Sequence, residues 1–558
     1  MPNPSDLPDA FLPSQSRQTC TGRARAVQTL AWLILVLMLV RAFALWAADP
    51  LLGYANTFDQ VRTTVVFGLK PRDSGQEIHA GTPDQPWRFY VKAAPMGKPI
   101  YPSSDLLAKA VQVAVMAVFS SSNGVMDIKV AGATLLIVWM AGVLWVFVRL
   151  LARPAAALGF ALWCCVLADP INLLFLNTVY AEFSAFIAAT LMIGALWLWL
   201  EKRLSTRWTL LTGCMLALFL ALNRNQWMYL GMALLPTALA LAYFGRRGDR
   251  PMCSRRIAIA GGTLMAIMVC VVPIIVFQGQ YDLLKASVSA NRIDTVMGMV
   301  LPASKNPQAI LRAMQLPESC LAMSGKIWYT APVDEFKTHC PQIMNLPPTH
   351  LVFALMTEPR IMAPIIRNIS ISHRGFLQNH LGQVEGKSRM NIASLGGYVS
   401  ASMDGVIARL SPAWARALIW LLMIAPFALS AVALIAGARR WAVMFMTQGS
   451  LFNYVLFSSI FGDGYFDLAR HAVLCFSFGA LLPILLLTGA CARFLKHCTA
   501  ARSSLSAAGV EQPRAAIEYA ISPDSTRTRK LLMPRRNPVQ SQDSFQPLAV
   551  DNVQQFAV

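Results

Sequence analysis

The chain has 558 residues, of which 56% are hydrophobic and 14% charged, with a mean hydropathy of +0.49. That composition excludes a water-soluble surface and places the chain among membrane proteins. The formal net charge of +20 does not indicate a nucleic-acid partner, because Lys and Arg fall in short clusters between apolar runs and in a polar C-terminal tail.

In chain order, Arg17, Arg23 and Arg25 precede an apolar run from Leu30. The run is long for a secretory signal, and Arg41 interrupts the stretch where cleavage at Ala42-Phe43-Ala44 would be prepared, so it reads as an uncleaved anchor. Spans are expected at 28–47, 130–149, 182–200, 227–245, 257–277, 415–437, 442–460 and 471–490, each near the ~20 residues of a bilayer core. Two shorter runs, 155–168 and 207–222, must also cross. Only then do the basic loops at Arg149 and Arg153, Lys202 to Arg207, Arg246 to Arg256, Arg439 and Arg440, and Arg493 and Lys496 all share the cytoplasmic side.

The expected fold is an all-α polytopic membrane protein of about ten helices with both termini in the cytoplasm. Residues 1–27 form the N-terminal segment, and 28–277 carry helices one to seven with a large outer loop at 48–129. Residues 278–414 form an extracytoplasmic loop domain, 415–490 carry helices eight to ten, and 491–558 form a disordered cytoplasmic tail rich in Ser, Pro, Arg and Gln. The run Leu106 to Phe119 is too short to span comfortably and contains Lys109 and Gln112, so it is expected to lie on the outer surface as a helix.

The outer segments hold the polar residues with chemical potential. Asp59, in Gly53-Tyr54-Ala55-Asn56-Thr57-Phe58-Asp59-Gln60-Val61-Arg62, lies near the membrane surface and either accepts a proton from a hydroxyl or serves locally, paired with Arg62 or capping a short helix. The segment from Ala168 through Asp169, Asn172 and Asn177 to Glu182 is too apolar for a solvated loop. Glu182 either faces a cavity or partner, or complements the helix dipole at the start of its span. In Asn223-Arg224-Asn225-Gln226, an Arg on the outer side suits a phosphate, whether of a reacting donor or of an ordinary headgroup. Arg41 either snorkels to headgroups or faces the same cavity.

Between the last two spans the chain reads Phe461-Gly462-Asp463-Gly464-Tyr465-Phe466-Asp467-Leu468-Ala469-Arg470-His471. Gly-Asp-Gly predicts a turn, after which Asp467, Arg470 and His471 share one face as the last helix begins. Arg470 and His471 then donate to a phosphate while Asp467 or Asp463 orients them or the substrate, or Asp467 and Arg470 form an intrahelical pair. Most of the 11 cysteines lie in or beside apolar segments, but Cys320 and Cys340 fall in the large loop and can close a disulfide.

Charged residues at the outer ends of several helices, with an acidic residue in a long first outer loop, resemble the GT-C superfamily of integral-membrane glycosyltransferases. The nearest likeness is to bacterial hexose transferases of cell-surface glycan synthesis, through the segments at 53–62 and 462–471. The resemblance implies an enzyme of the bacterial inner membrane that transfers a sugar from a polyprenyl-phosphate donor to an outer-face glycan, lipid or protein acceptor. Asp59 matches the residue assigned as base, Glu182 the second acidic position, and Arg470 and Arg224 the holders of the donor phosphate. The chain lacks the paired Asp-x-Asp or Glu-x-Asp that some members carry in the first loop, and neither a metal site nor a cofactor is assigned. A transporter or flippase of lipid-linked precursors, or a non-catalytic envelope-assembly protein, uses the same number of helices. The transporter would place its charges near the bilayer midplane, whereas here they gather at one face.

Overall fold

A computed structural model describes residues 14–55, 57–73, 85–93, 102–244, 252–278, 281–328, 330–372, 382–386, 409–465 and 468–508. Within these, side chains are described except at 14–21, 57–59, 61–62, 252–262, 281–287, 348, 370–372, 382–383, 463, 469–470, 473 and 498–508. The protein is an all-α polytopic membrane protein. Among the described residues, a helix stands at each of the ten expected spans: α1 (Ser14–Ala47), α4 (Ile128–Leu150), α5 (Pro154–Leu167), α7 (Glu182–Leu200), α8 (Thr206–Ala221), α9 (Leu230–Phe244), α10 (Met252–Gln278), α13 (Pro412–Ile435), α14 (Arg439–Asp463) and α16 (Val473–Ala508). The last helix runs to Ala508, so the segment from Cys491 begins as helix rather than as disordered tail; residues 509–558 lie outside the described residues.

Contacts at the helix ends hold the bundle in register. At the basic end, Gln28 at the start of α1 donates to the Leu151 carbonyl at 2.7 Å, Arg153 faces Glu201 at 3.9 Å, and Arg440 donates to the Trp199 carbonyl and lies over its ring. At the other end, Lys129 opens α4 by donating to the Ala48 carbonyl that follows α1, at 2.8 Å. Short helix α5 thus starts beside Glu201 and finishes beside Asp169, crossing the same bundle as its longer neighbours. At 1.5 Å per residue the 19 residues of α7 cover roughly 28 Å, so Glu182 and Glu201 lie at opposite ends.

Burial separates the centre from the lipid-facing rim. Helix α7 is the hub, with 94% of its spanning window buried and Trp197, Trp199 and Phe183 enclosed. Helices α1 and α13 are buried over only 28% of theirs and expose Leu33, Leu37, Ile424 and Val432, as a surface bathed in hydrocarbon requires. Helix α14 is less apolar than the long spans because it turns polar groups inward. Gln448 donates to the Phe478 carbonyl at 3.0 Å, and Thr447 meets Thr237 at 3.1 Å.

The first outer loop carries α2 (Thr57–Phe67), α3 (Asp105–Val118) and four short strands. Strand β1 (Leu52–Ala55) pairs antiparallel with β5 (Gly382–Val384), while β2 (Leu69–Pro71), β3 (Phe89–Lys92) and β4 (Met126–Asp127) form a second small sheet. A Cβ on Gly53 would stand 3.1 Å from the Asn177 carbonyl, so only glycine lets β1 pass this close to the segment before α7. The large later loop opens with α11 (Tyr281–Thr295), continues through short helical turns to Ile361, and ends its described helical part with α12 (Met362–Ser372). Cys320 and Cys340 are bonded to each other inside its apolar core with Ile310, Phe336 and Ile343.

A helix stands at the expected run Leu106 to Phe119, as α3, and the polar residues it carries are packed inward. Its polar stripe, Asp105, Lys109 and Gln112, is buried, with Lys109 only 1% exposed, while Leu107, Val111 and Val118 face outward. The physical reason is the solvent: in hydrocarbon the apolar side faces out and the polar side turns into the protein.

Candidate functional site

The segment before α7 builds one wall of the site. Asp169 caps α6 (Pro170–Leu173) by accepting from Ile171 N at 3.2 Å, and every residue from Leu167 to Tyr180 is buried. The segment is held from both sides. Tyr54 N donates to the Leu174 carbonyl at 2.9 Å, and Thr63 Oγ1 of α2 donates to the Val179 carbonyl at 3.0 Å. Glu182 then opens α7 beside the turn that joins α8 to α9.

Arg224 in that turn donates through Nη1 to Glu182 Oε1, and the two side chains are 14% and 9% exposed. The alternatives open at Glu182 and Arg224 therefore meet in one ion pair. Helix α14 pins the turn, since Tyr454 donates to the Gln226 carbonyl at 2.8 Å and accepts from Tyr229 N at 3.1 Å. Gln226 donates through Nε2 to Ser459 Oγ at 3.0 Å and to the His471 carbonyl at 3.4 Å. Its Oε1 is consequently an acceptor, and His471 Nδ1, 3.1 Å away, is the donor.

Glu182, Arg224 and His471 line one cleft, with Asn172, Asn223, Gln226, Phe175, Phe186 and Trp227 completing most of its wall. The cleft encloses about 390 Å³, space open to solvent included. Three residues singled out from separate segments of the sequence thus converge. Arg41 does not join them; it faces the buried Asp169 at 3.7 Å.

The rest of the expected set is placed by backbone alone or lies outside the described residues. Asp59 is the third residue of α2, on the first turn of a short helix, and its side chain is outside the described residues. The same holds for the side chains of Asp463, the last residue of α14, and of Arg470, while Asp467 is outside them altogether. The backbone corrects two expectations here. Helix α14 continues through Gly462 and Asp463, and only Gly464 takes positive φ, +62°, where a Cβ would stand 2.6 Å from the Asp294 carbonyl. The final span does not begin at Asp467 either: α15 (Leu468–His471) is a separate short helix, and a turn at Ala472 precedes α16. The turn is tied to the large loop by Thr295 Oγ1, which donates to the Phe461 carbonyl at 3.2 Å, and by Tyr465, which donates to the Ile365 carbonyl at 3.1 Å.

Behind the Glu182–Arg224 pair lies a second set of charges that the sequence reading missed. Ser184 Oγ is 2.6 Å from Asp105 Oδ1 and accepts from Asn223 Nδ2 at 3.0 Å. Burial pushes the Asp105 carboxyl up from its ordinary range, opposed by Lys109 and the Ser184 hydroxyl. Burial pushes the Lys109 ammonium down, opposed by the charges of Asp105 and then Glu182. The signal was present as a polar stripe at Asp105, Lys109 and Gln112, spaced i, i+4, i+7 on an otherwise apolar helix. Among the described residues, no group of three or more His, Cys, Asp or Glu side chains is placed to hold a metal ion.

Chemically, the cleft offers a guanidinium already oriented by a carboxylate, an imidazole whose Nδ1 carries a proton and several carboxamides, at the end of the bundle away from the basic loops. No curated protein and no solved structure matches the chain. The family model described as the YfdI N-terminal transmembrane domain matches residues 18–344, which include Asn172, Glu182, Asn223 and Arg224, and by that match over more than half its length the chain belongs to this family.

Proposed function

We propose that the protein is an integral-membrane glycosyltransferase of the bacterial inner membrane, taking a sugar from a polyprenyl-phosphate donor and passing it to a glycan, lipid or protein acceptor on the outer face. The observation that carries the reading is the convergence of Arg224, Glu182 and His471 on one cleft at the end of the bundle opposite the basic loops. A polyprenyl phosphate has its phosphate at headgroup depth, so a guanidinium and an imidazole at the mouth of a helix bundle stand where that charge would be. With basic loops cytoplasmic, both termini are inside, and the cleft, the first large loop and the 278–414 domain are outside.

In the proposed reaction the acceptor hydroxyl oxygen bonds to the anomeric carbon as the bond from that carbon to the phosphate oxygen breaks. The electron pair leaves on the phosphate, which Arg224, Arg470 and His471, as an imidazolium through its Nε2–H, stabilise, and the hydroxyl proton passes to Asp59. Glu182 holds the Arg224 fork in place. Docking of α2 on the segment that leads into Glu182 supports a shared site for Asp59 and the pair.

The test is Asp59→Asn and Arg224→Gln in a strain lacking the native protein, with surface glycan mass measured by spectrometry and protein level by blot. Loss of the transferred sugar at normal protein level is expected. Full glycan in both variants would remove the assignment.

A further inference from the structure

Two residues that line the cleft carry a carboxamide oxygen with no donor among the described residues: Asn172 Oδ1 and Asn223 Oδ1 are both buried and unbonded. The side chains are 2% and 0% exposed, so both oxygens have lost bulk water without receiving a hydrogen bond from the described protein. Their orientation follows from the nitrogens. Asn172 Nδ2 donates to the Leu167 carbonyl at 2.9 Å and lies 3.4 Å from Ser477 Oγ, and a flipped amide would set oxygen against the Leu167 carbonyl oxygen.

At Asn223 the partner is a hydroxyl, which can donate or accept, so the neighbour beyond it decides. Ser184 Oγ lies 2.6 Å from Asp105 Oδ1 and 2.9 Å from the Ala181 carbonyl, and both draw its single proton. Ser184 is left to accept, Asn223 must present its NH₂ to it, and Oδ1 is directed elsewhere.

We infer that Asn172 and Asn223 form a hydroxyl-reading subsite, in which each oxygen accepts a hydrogen bond from one hydroxyl of the donor sugar. This rests on the glycosyl-transfer reading and gives it a specificity element. A phosphate has no O–H to offer these oxygens once ionised, whereas a hexose presents several at fixed angles. Asp105 and Ser184 are positioning residues that act through Asn223. A site built around buried acceptors rejects a ligand lacking the matching hydroxyl far more strongly than it rewards added apolar contact.

The experiment uses the full chain in lipid nanodiscs with polyprenyl phosphate carrying glucose, galactose or mannose and, as acceptor, envelope glycan and lipid from the strain lacking the protein, then the monodeoxy forms of whichever hexose is transferred. In the wild type, removal of each of two hydroxyls should lower kcat/KM at least tenfold. Asn223→Ala and Asn172→Ala should each lose discrimination at one of those positions while still binding sugar-free polyprenyl phosphate. Wild-type tolerance of every deoxy donor within threefold overturns the subsite whatever the variants do, as does a variant that binds phosphate and keeps full discrimination. Failure to transfer any hexose overturns the glycosyl-transfer reading instead, and the subsite with it.

Discussion

Removing Arg224 while keeping Glu182 isolates the charge at the centre of the cleft. The carboxylate is 9% exposed and its partner 14%, so the pair is largely out of water. Loss of one partner from such a pair costs about 3–5 kcal/mol, because the remaining charge is buried without compensation, whereas an exposed pair contributes about 0–1 kcal/mol. Arg224→Met should therefore destabilise strongly, Glu182→Gln should destabilise as well, and the double variant should recover most of the loss. The assay is chemical unfolding in a fixed detergent for the four proteins of the cycle, with sugar transfer measured alongside. Transfer should remain lost in the double variant even where stability returns, since the phosphate contact is gone. Single variants within about 1 kcal/mol of wild type would refute the reasoning, because the pair would then behave as solvated.

Three further outcomes are expected. Reporter fusions after Asn225 and after Arg440 should report outside and cytoplasm respectively, and the reverse at either would place the cleft on the wrong face. Cys320→Ser with Cys340→Ser should cost about 3 kcal/mol by loop entropy for a closure of 20 residues, read as a lower unfolding midpoint; an unchanged midpoint would count against the bond as a brace. Glu358 accepts from Ser304 Oγ and from Lys305 N at 3.1 Å, which holds its carboxyl below the ordinary carboxylate range. Its folded value is the lower one, so the stabilisation is present above the unfolded value near 4.5 and is lost as pH falls through the folded value. Wild type and Glu358→Gln should thus differ at neutral pH and converge in acid, and a difference constant with pH would refute the linkage.

Much of the architecture is written in local composition. Runs of apolar residues, punctuated by clusters of Arg and Lys, make a helix legible at each of ten positions, because hydrocarbon leaves a spanning backbone few options. Two short helices were legible from charge parity alone. Glu182, Arg224 and His471 were legible as candidates because ionisable groups at the ends of spans are costly to place without a purpose. The helix through Gly462 and Asp463 and the break at Ala472 were not, since packing of Gly464 on Asp294 decides where α14 ends.

What only the tertiary structure decided is which polar groups meet. Arg41 and Arg224 look alike in sequence, each a lone arginine at the end of a span. One is drawn to Asp169 and the other to Glu182 by the crossing of α1 and α8 against the segment before α7. Lys109 is a charged residue in a helix expected on the outer surface, yet the packing of α3 buries it and turns Leu107, Val111 and Val118 outward. The free direction of Asn223 Oδ1 depends on Asp105, 118 positions away, acting through Ser184. Sequence alone determined where the apolar helices stand and the residue types available at their ends; the packing of those ends selected partners, because hydrogen bonds and ion pairs form between groups that the fold brings within about 3–4 Å, however distant they are along the chain.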